Sequence, residues 1–596
     1  MDLLMHLLDV FNGILWHDYA LLAVLATGVL FTFWSTFGQY RALTHGIQVI
    51  RGKYDRKGDP GAINHFQALS TALSATVGLG NIAGVAIAIS IGGPGAVFWM
   101  WVTGFVGMAL KMTEVTQAML YRNTQDPNNP HGGAMWVCRR GFGDVSSRLK
   151  PFGPLVGGIF CVTLLVSTIT GGNMFQAWNV ADISYEYFGI PKLVSGAILT
   201  VAVGLVIVGG IKRIGDVAGR IVPFMCGLYI IAGLVVVFIN ADRIPAMFAL
   251  ILKEAFSPSE AVGAFIGGSA AFGFLKGMQR SLFSNEAGQG SAPIAHAAAK
   301  TDEPVREGVV AGIEPFVDTL MVCTITALVI LLSGMWNRQP ALAFADGPPM
   351  ITQAMNAEGR PEVDAAGNYT WRIADVKVAA RDLREASGQL RDGKDLFLIV
   401  EGGKNSETGA YHHRVTGTLK QDGGGLFRAS FAPHRSKEPG APRLASDPAF
   451  QGVYLAFKGA TLTAKAFDRT LLGLGLWFVP ITAWLFAFST IISWSYYGEQ
   501  GTVYLFGSRG VMPYRVIYCL LVMLSATPLI RTEAELDVVS TLGTGVMLWA
   551  NIPIMLLFGP RAMRAYHDYM RRLKSGAFKG HAYPKLTEVV DGKDVE

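Results

Sequence analysis

Apolar runs of about twenty residues recur along the chain, broken by short stretches where Lys, Arg, Gly and Pro collect. A helix needs about 20 predominantly apolar residues to cross the hydrocarbon of a bilayer. On that measure the pattern predicts eleven spans, near 20–37, 66–91, 95–120, 154–178, 190–210, 218–239, 260–288, 308–335, 470–496, 512–530 and 536–559. Residues 337–468 break the pattern. They are polar and Gly-rich, and short runs such as DLFLIVEGG (395–403), YHHRVTGTL (411–419) and VYLAFKGATLTA (453–464) read as strands between turns. This segment is long enough for a small β-rich domain. The expected division is therefore a membrane domain at 1–336, an insert at 337–468, further spans at 469–560 and a tail at 561–596.

Charge then orients the spans. Arg41, Arg51, Lys53, Arg56 and Lys57 follow the first span, and Arg122, Arg139, Arg140, Arg148 and Lys150 follow the third. Lys212, Arg213 and Arg220 follow the fifth, Lys300 and Arg306 the seventh, and Arg561, Arg564, Arg571, Arg572 and Lys574 lie in the tail. Loops such as 179–189 and 531–535 carry few basic residues. By the positive-inside rule the basic loops are cytoplasmic. The N-terminus and the insert are then outside, with the insert in the periplasm, and the C-terminus is inside. An odd number of spans requires the same.

Composition removes other classes. The 596 residues are 51% hydrophobic and 16% charged, against about 25% charged in soluble domains. A net charge of +6 sits in short loops, which speaks for topology and against a nucleic-acid partner. The first thirteen residues, MDLLMHLLDVFNG, have no Lys or Arg, so no cleavable signal peptide is read there. Cys138, Cys161, Cys226, Cys323 and Cys519 lie in or beside spans without metal-ligand or disulfide spacing. There is no phosphate-cradling motif for ATP, and no enzyme is expected.

One span is unusual. SATVGLGNIAGVAIAISIGG (74–93) places Gly78, Gly80 and the amide of Asn81 in an apolar run. Glycine costs about 1 kcal/mol per helix position relative to alanine. Irregular backbone at membrane depth is tolerated only where it lines a cavity or is buried in protein. We read Gly78, Gly80 and Asn81 as a helix break and Gly84 as a helix-packing glycine. Transporters use such breaks to bind substrate and ions, often in the corresponding helices of two inverted repeats. Counting five spans on reaches GAFIGGSAAFGF (263–274), where Gly267, Gly268, Ser269 and Gly273 supply a second candidate break. Spacing and charge thus predict two five-helix units of opposite topology after one extra helix.

SATVGLGN resembles the first-helix break of the neurotransmitter:sodium symporters. GGPGAVFWMW (92–101), GNMFQAWN (172–179), GGIKRIGDV (209–217), RSLFSNEAGQGSAPIAHAAA (280–299), DTLMVCTITALVIL (318–331) and FSTIISWSYYGE (488–499) together resemble the alanine or glycine:cation symporter family. The resemblance implies an all-α polytopic protein with a LeuT-like 5+5 inverted repeat, to which the β-rich extracytoplasmic insert is added. It also implies sodium-coupled uptake of small neutral amino acids across the inner membrane, with Na⁺ as coupling ion and no other cofactor. Thr76, Gly78, Gly80 and Asn81 would meet the substrate's carboxylate and amino end. Gln176 would either join them or make an interhelical hydrogen bond. Phe272 with the Gly267–Gly268 backbone would form the opposite wall. Thr490 and Trp494, at i and i+4, would close the pocket, unless Trp494 belongs to an interfacial aromatic belt. Carbonyls of Ser74 and Val77 with hydroxyls of Ser489 and Thr490 would hold Na⁺.

Charges inside spans are costly, by roughly 2.5–3.5 kcal/mol each on insertion scales. Lys111 and Glu114, one turn apart, are expected to pair. Arg280 and Glu286 are expected to form an inner gate with loop charges, and Asp318 is either a gating partner or scaffold. A channel, a proton-coupled carrier, and an amino-acid sensor using the insert are the rival readings. The lipid bilayer and a small amino acid are the expected partners, and any protein partner of the insert is left open.

Overall fold

A computed structural model describes residues 2–56, 58–364, 367–381, 390–405, 408–422, 427–437, 440, 442–445, 447, 450–527, 533–578, 580 and 582–592. Lys57 and part of the 531–535 loop lie outside them. After α1 (Asp2–Leu15) and α2 (Asp18–Trp34), the chain bends by 67° into a helical segment at 38–50. The first span of interest starts on a well-made cap. Asn64 accepts from the Gln67 amide at 2.8 Å while the Gln67 side chain accepts from the Asn64 amide at 3.3 Å, opening α3 (His65–Thr76). A π-helical turn, Gly80–Gly84, continues into α4 (Val85–Gly92), bent 48° from α3.

The long α5 (Gly95–Tyr121) follows, then α6 (Ala134–Val145), α7 (Gly153–Ile169), a π turn at Thr170–Met174, and α8 (Phe175–Phe188). Next come α9 (Lys192–Ile207), α10 (Gly210–Ile239) and α11 (Ile244–Phe256). Then α12 (Ala270–Asn285), α13 (Ala292–His296), α14 (Pro304–Ala311), a π stretch at Phe316–Cys323 and α15 (Thr324–Ser333) lead to the strand-bearing segment. The chain ends with α16 (Gly459–Thr470), α17 (Leu474–Phe506), α18 (Val511–Ser525), α19 (Glu533–Lys574) and a short tail helix.

Among the described residues, six helical stretches are long and apolar enough to cross a membrane, or eight when each bent pair counts as one; Lys192–Ile207 is a shorter apolar helix. Their outward faces carry exposed Leu155, Val201, Leu205, Phe224, Ile231 and Phe238, as surfaces against lipid require. α5 packs along α12 and α14, and α3 packs against α10 and α17.

Three boundaries differ from the sequence reading. Residues 257–269 are not helical: Ser259 and Gly268 form an antiparallel bridge, and Ser269 caps α12 by accepting from the Phe272 amide at 3.2 Å. The run VYLAFKGATLTA is a strand only at Tyr454–Leu455, and from Gly459 it is helix α16. α19 continues to Lys574, well past residue 560.

Between α15 and α16, ten strands among the described residues form two antiparallel sheets. They are β1 (Leu342–Phe344), β2 (Ile351–Gln353), β3 (Tyr369–Ile373), β4 (Val376–Ala380), β5 (Asp395–Glu401), β6 (His412–Gln421), β7 (Phe427–Phe431), β8 (His434–Ser436), β9 (Arg443–Leu444) and β10 (Tyr454–Leu455). One sheet runs β1-β4-β7-β6-β5-β10, with β9 also on β5; the other runs β2-β3-β8. β5 is a continuous apolar run because both its faces are covered. Phe397 and Ile399 pack with Ala264, Phe450 and Tyr454, while Leu398 and Val400 pack with Ile373 and Val415. Ala264 precedes α12, so one face of β5 is anchored on the helical part. Glu186 at the end of α8 adds ion pairs to Lys394 and, at 2.7 Å, to Arg391.

Candidate functional site

α3 stops at Val77, whose backbone leaves the helical region (φ −76°, ψ 84°). The next two amides are satisfied by side chains instead of by helix carbonyls. Gly78 N–H donates to Asn81 Oδ1 at 2.9 Å, and Leu79 N–H donates to Gln176 Oε1 at 3.1 Å. Gly78 admits no side chain: a Cβ there would lie 2.4 Å from Thr490 Oγ1 and 3.3 Å from Gln176 Oε1. Asn81 turns its other end away, donating to Asp318 Oδ1 at 2.6 Å and to the Asp318 carbonyl at 3.1 Å. The break is therefore a built feature, held by Asn81 and Gln176.

The second break is not where the glycines of 267–268 suggested. Gly267 and Gly268 lie in the turn before α12, and Phe272 in its first turn, apart from the first break. The helix instead stops after Asn285. Glu286 takes a left-handed conformation (φ 56°), Gly288 and Gly290 follow at φ 80° and 79°, and helix resumes at Ala292. Side chains again replace the helix ladder: Gln289 donates to the Leu282 carbonyl at 2.7 Å, Gly290 N–H to Glu114 at 3.1 Å, and Ser291 to Glu286 at 2.5 Å. Asn551 on α19 donates to the Gly288 carbonyl at 2.9 Å.

The two breaks face each other. A small pocket between them is lined by Thr76, Gly80 and Gln176 on one side and by Phe283, Ser284, Glu286 and Gln289 on the other, with Trp494 closing it. Trp494 is 5% exposed and packs edge-on to Tyr497 at 5.3 Å, so it is a core residue and no interfacial belt aromatic. The π turn at Thr170–Met174 makes room for it, since a Cβ on Gly172 would lie 2.3 Å from the indole Cγ. Phe283, Ser284 and Gln289 were not singled out from the sequence. Their signal was present in FSNEAGQGS, where Gly288 and Gly290 flank Gln289 just after the polar pair Asn285–Glu286.

Beside the first break, α3 and α17 cross-bond. Ser74 Oγ donates to the Ser489 carbonyl at 2.6 Å, and Thr490 Oγ1 donates to the Ser74 carbonyl at 3.0 Å. With the Val77 carbonyl next along the chain, this collects oxygen donors of the kind a hard monovalent cation takes. The Ser489 hydroxyl points elsewhere, donating to the Phe486 carbonyl at 2.9 Å. Among the described residues, no cluster of three or more His, Cys, Asp or Glu has the arrangement of a metal site.

Two charge assignments are corrected. Lys111 pairs with Glu314 on the neighbouring helical segment at 3.3 Å, while Glu114 accepts from Gly290 and Asn551. One turn of helix sets Lys111 beside Glu114, but the packing of α5 on the second break gives each a better partner. Glu314 also bonds His296 at 2.6 Å, His296 bonds Glu307 at 2.5 Å, and Glu307 pairs with His65. Arg280 pairs with Asp537 in the first turns of α19, on the side of the breaks where the strands lie. Arg280 and Glu286 therefore do not form an inner gate with loop charges.

Asp318 is fully buried and accepts from Asn81, from Ser284 at 3.0 Å and from Thr319 at 2.7 Å. That places it as the link between breaks, behind the pocket.

Comparison with known proteins assigns the chain to a family. The family model described as "Sodium:alanine symporter family" matches residues 1–363 and 449–582. The sodium/alanine symporter AgcS of Methanococcus maripaludis is 33% identical over 556 residues, covering 93% of this chain and 94% of its own. The putative sodium/proton-dependent alanine carrier protein YrbD of Bacillus subtilis is 31% identical, covering 95% of this chain and 92% of its own. The crystal structure of MhsT in complex with L-phenylalanine matches with a TM-score of 0.43 at 12% identity, over 84% of this chain and 90% of that one. The chain belongs to the sodium:alanine symporter family, and is accordingly a multi-pass membrane protein of cation-coupled amino-acid transport, not an enzyme.

Proposed function

We propose that this protein carries alanine and glycine inward together with Na⁺ by alternating access through a LeuT-like 5+5 repeat preceded by an extra helix. The observation that carries the reading is the pair of opposed helix breaks around one small pocket. The start of the helix that resumes at Gly80 and the hydroxyl of Thr76, both lining the pocket, suit a carboxylate, since the N-terminal end of a helix at a break favours an anion. Gln176, Ser284, Gln289 and the carbonyls of the second break suit the ammonium. Trp494 and Phe283 crowd the pocket, which favours a methyl or a hydrogen side chain over a larger one. Na⁺ takes the Ser74, Val77, Ser489 and Thr490 oxygens, where the α3–α17 cross-bonds lie. Of these, the Ser489 contribution is its carbonyl.

Coupling requires only that substrate and ion stabilise the same conformation. Both sites share the end of α3, so both act on its position relative to α17. One Na⁺ crossing ~100 mV releases about 2.3 kcal/mol, and a tenfold gradient adds about 1.4. Together these sustain accumulation of roughly several hundredfold. In this reading eleven spans set the N-terminus and the strands outside the inner membrane and the C-terminus in the cytoplasm. The Arg280–Asp537 pair then lies on the outer side of the pocket and serves as an outer latch.

The test is uptake of labelled alanine and glycine into proteoliposomes with and without an inward Na⁺ gradient. Accumulation that collapses without Na⁺ supports the reading. Accumulation driven by a proton gradient alone would replace Na⁺ by H⁺. Flux without accumulation would indicate a channel, and no transport by inserted, folded protein would favour a sensor.

A further inference from the structure

The chain continues past α19, and residues 582–592 lie across the start of the first broken helix. Arg51 sits over the Tyr583 ring, 4.3 Å from its centroid. Pro584 lies so close to Gly52 that a Cβ there would come within 2.9 Å of the proline ring. The tail helix, Leu586–Val590, then packs against both α3 and α10. One face of it is seated, since Val589 is buried while Leu586 is exposed.

The grip on α3 is at its cap. The Asn64 side chain that accepts from the Gln67 amide also donates, through Nδ2, to the Val589 carbonyl at 2.6 Å in a buried bond. Gly592 approaches the next turn so closely that a Cβ would lie 2.6 Å from Gln67 Nε2. Gln67 in turn donates to Asp216 on α10 at 3.0 Å. On α10 the Val590 carbonyl lies beside Gly219, and Arg220 pairs with Asp591 at 3.4 Å. That last pair is exposed and contributes little, so the docking depends on Asn64, Val589 and the fit of Gly592. The tail thereby bridges α3 to α10.

The position of that bridge matters. Arg414 on β6 reaches the Ser90 carbonyl near the end of α4 at 3.0 Å, so the strands lie off one end of the broken helix and the tail off the other. α3 has twelve residues, about 18 Å at a rise of 1.5 Å each, and it ends in a break, not in a continuing helix. A tilt about residues 77–79 therefore moves the start of α3 furthest, where the tail is bound. We propose that residues 582–592 are a strap on this carrier. Docked, they hold α3 against α10 and keep the pocket shut on the side away from the strands; released, they let α3 swing. Residues 583–592 lie beyond the stretches that match the family, so the strap is no part of what defines it. What the swing accomplishes rests on the transport reading; the restraint on α3 does not.

Hydrogen exchange at residues 70–77 of the full-length protein in detergent reads the restraint without reference to transport. Val589→Asp sets a charge in the docked face, and Gly592→Val pushes the tail off Gln67. Each should speed exchange there at least tenfold with an unchanged melting temperature. Gly219→Cys with Val590→Cys, joined by a short thiosulfonate linker, should slow exchange below the wild-type rate until a reductant releases it. Wild-type protein given the same reagent is the control, because four of its five cysteines are buried. In proteoliposomes the two undocked variants should raise the maximal rate of alanine uptake at least twofold, and the linked protein should take up none until reduced. Unchanged exchange in both variants, or full uptake by the linked protein, overturns the proposal. So does a maximal rate lowered in both folded variants, which would make the tail a support. If no form takes up alanine, wild type included, the transport reading fails and the exchange result alone decides whether the strap exists.

Discussion

Asp318 accepts a hydrogen bond from Asn81 at 2.6 Å and another from Ser284 at 3.0 Å, so one buried carboxylate joins the first broken helix to the second. Neither break can move far while both bonds hold, and this ties the two walls of the pocket into one unit. Asn81→Ala removes the acceptor for Gly78 N–H and a donor to a buried carboxylate, at about 1.5–3 kcal/mol for a bond to a charged group. We expect a lower melting temperature and uptake reduced at least tenfold. Asn81→Asp should be worse, because it sets a second carboxylate against the first. Uptake near the wild-type level in folded Asn81→Ala would mean that Asp318 and Gln176 hold the break unaided.

The cross-bonds between α3 and α17 make a graded prediction about Na⁺. The Thr490 hydroxyl is directed at the Ser74 carbonyl, whereas the Ser489 hydroxyl is bonded within its own helix. Thr490→Val, which keeps the shape, should raise the Na⁺ concentration for half-maximal uptake about tenfold, equivalent to about 1.4 kcal/mol. Ser489→Ala should change it little. The Na⁺ dependence of alanine uptake reads both. The reverse order would place the ion against the Ser489 hydroxyl and not where the carbonyls converge.

The first break was legible because its signal is local: glycines and an amide inside an apolar run have few explanations at membrane depth. The second was missed for a related reason. Gly267 and Gly268 looked like a break because they sit inside an apolar stretch, yet they only turn the chain into α12. The break at 286–291 falls at the end of the predicted span 260–288, where Glu286 reads as a gate charge and the polar residues as the approach to a cytoplasmic loop. Only tertiary packing, with Asn551 and Glu114 supplying the missing bonds, makes that stretch interior. Lys111 shows the same limit. Its neighbour in sequence was Glu114, and its partner Glu314 is two hundred residues away, where no periodicity reaches.

That pair sits at one end of a buried run through Glu314, His296, Glu307 and His65, in which Lys111, His296, Glu307 and Glu314 have no exposed surface. Removing one member of a buried pair strands the other, typically at 3–5 kcal/mol. Lys111→Met should therefore destabilise strongly. Lys111→Met combined with Glu314→Gln should recover part of the loss, with a coupling of about 0.5–3 kcal/mol. Thermal unfolding of the single and double variants measures it. Strict additivity would show that Lys111 and Glu314 do not depend on each other.

A last prediction concerns pH and the strands alone. Burial, with a smaller contribution from neighbouring His413, lowers the pKa of His434 from 6.5 to about 4. Its Nε2 is buried with no hydrogen-bond partner among the described residues. Native His434 is therefore neutral down to about pH 4, while the unfolded chain takes up a proton from about 6.5 downward. The unfolded state binds more protons in that window, so stability is full above pH 6.5 and falls as the pH drops toward 4. The size is at most about 3.4 kcal/mol, from a pKa difference of about 2.5 at 1.36 kcal/mol per unit. β8, which carries His434, pairs with β3, so protection of the Tyr369–Ile373 amides should weaken between pH 6.5 and 4. Hydrogen exchange on the full-length protein, corrected for the intrinsic pH effect, reads this directly. His434→Leu should flatten the dependence by removing the titrating group. A slope unchanged in that variant would assign the pH sensitivity of this sheet to other groups.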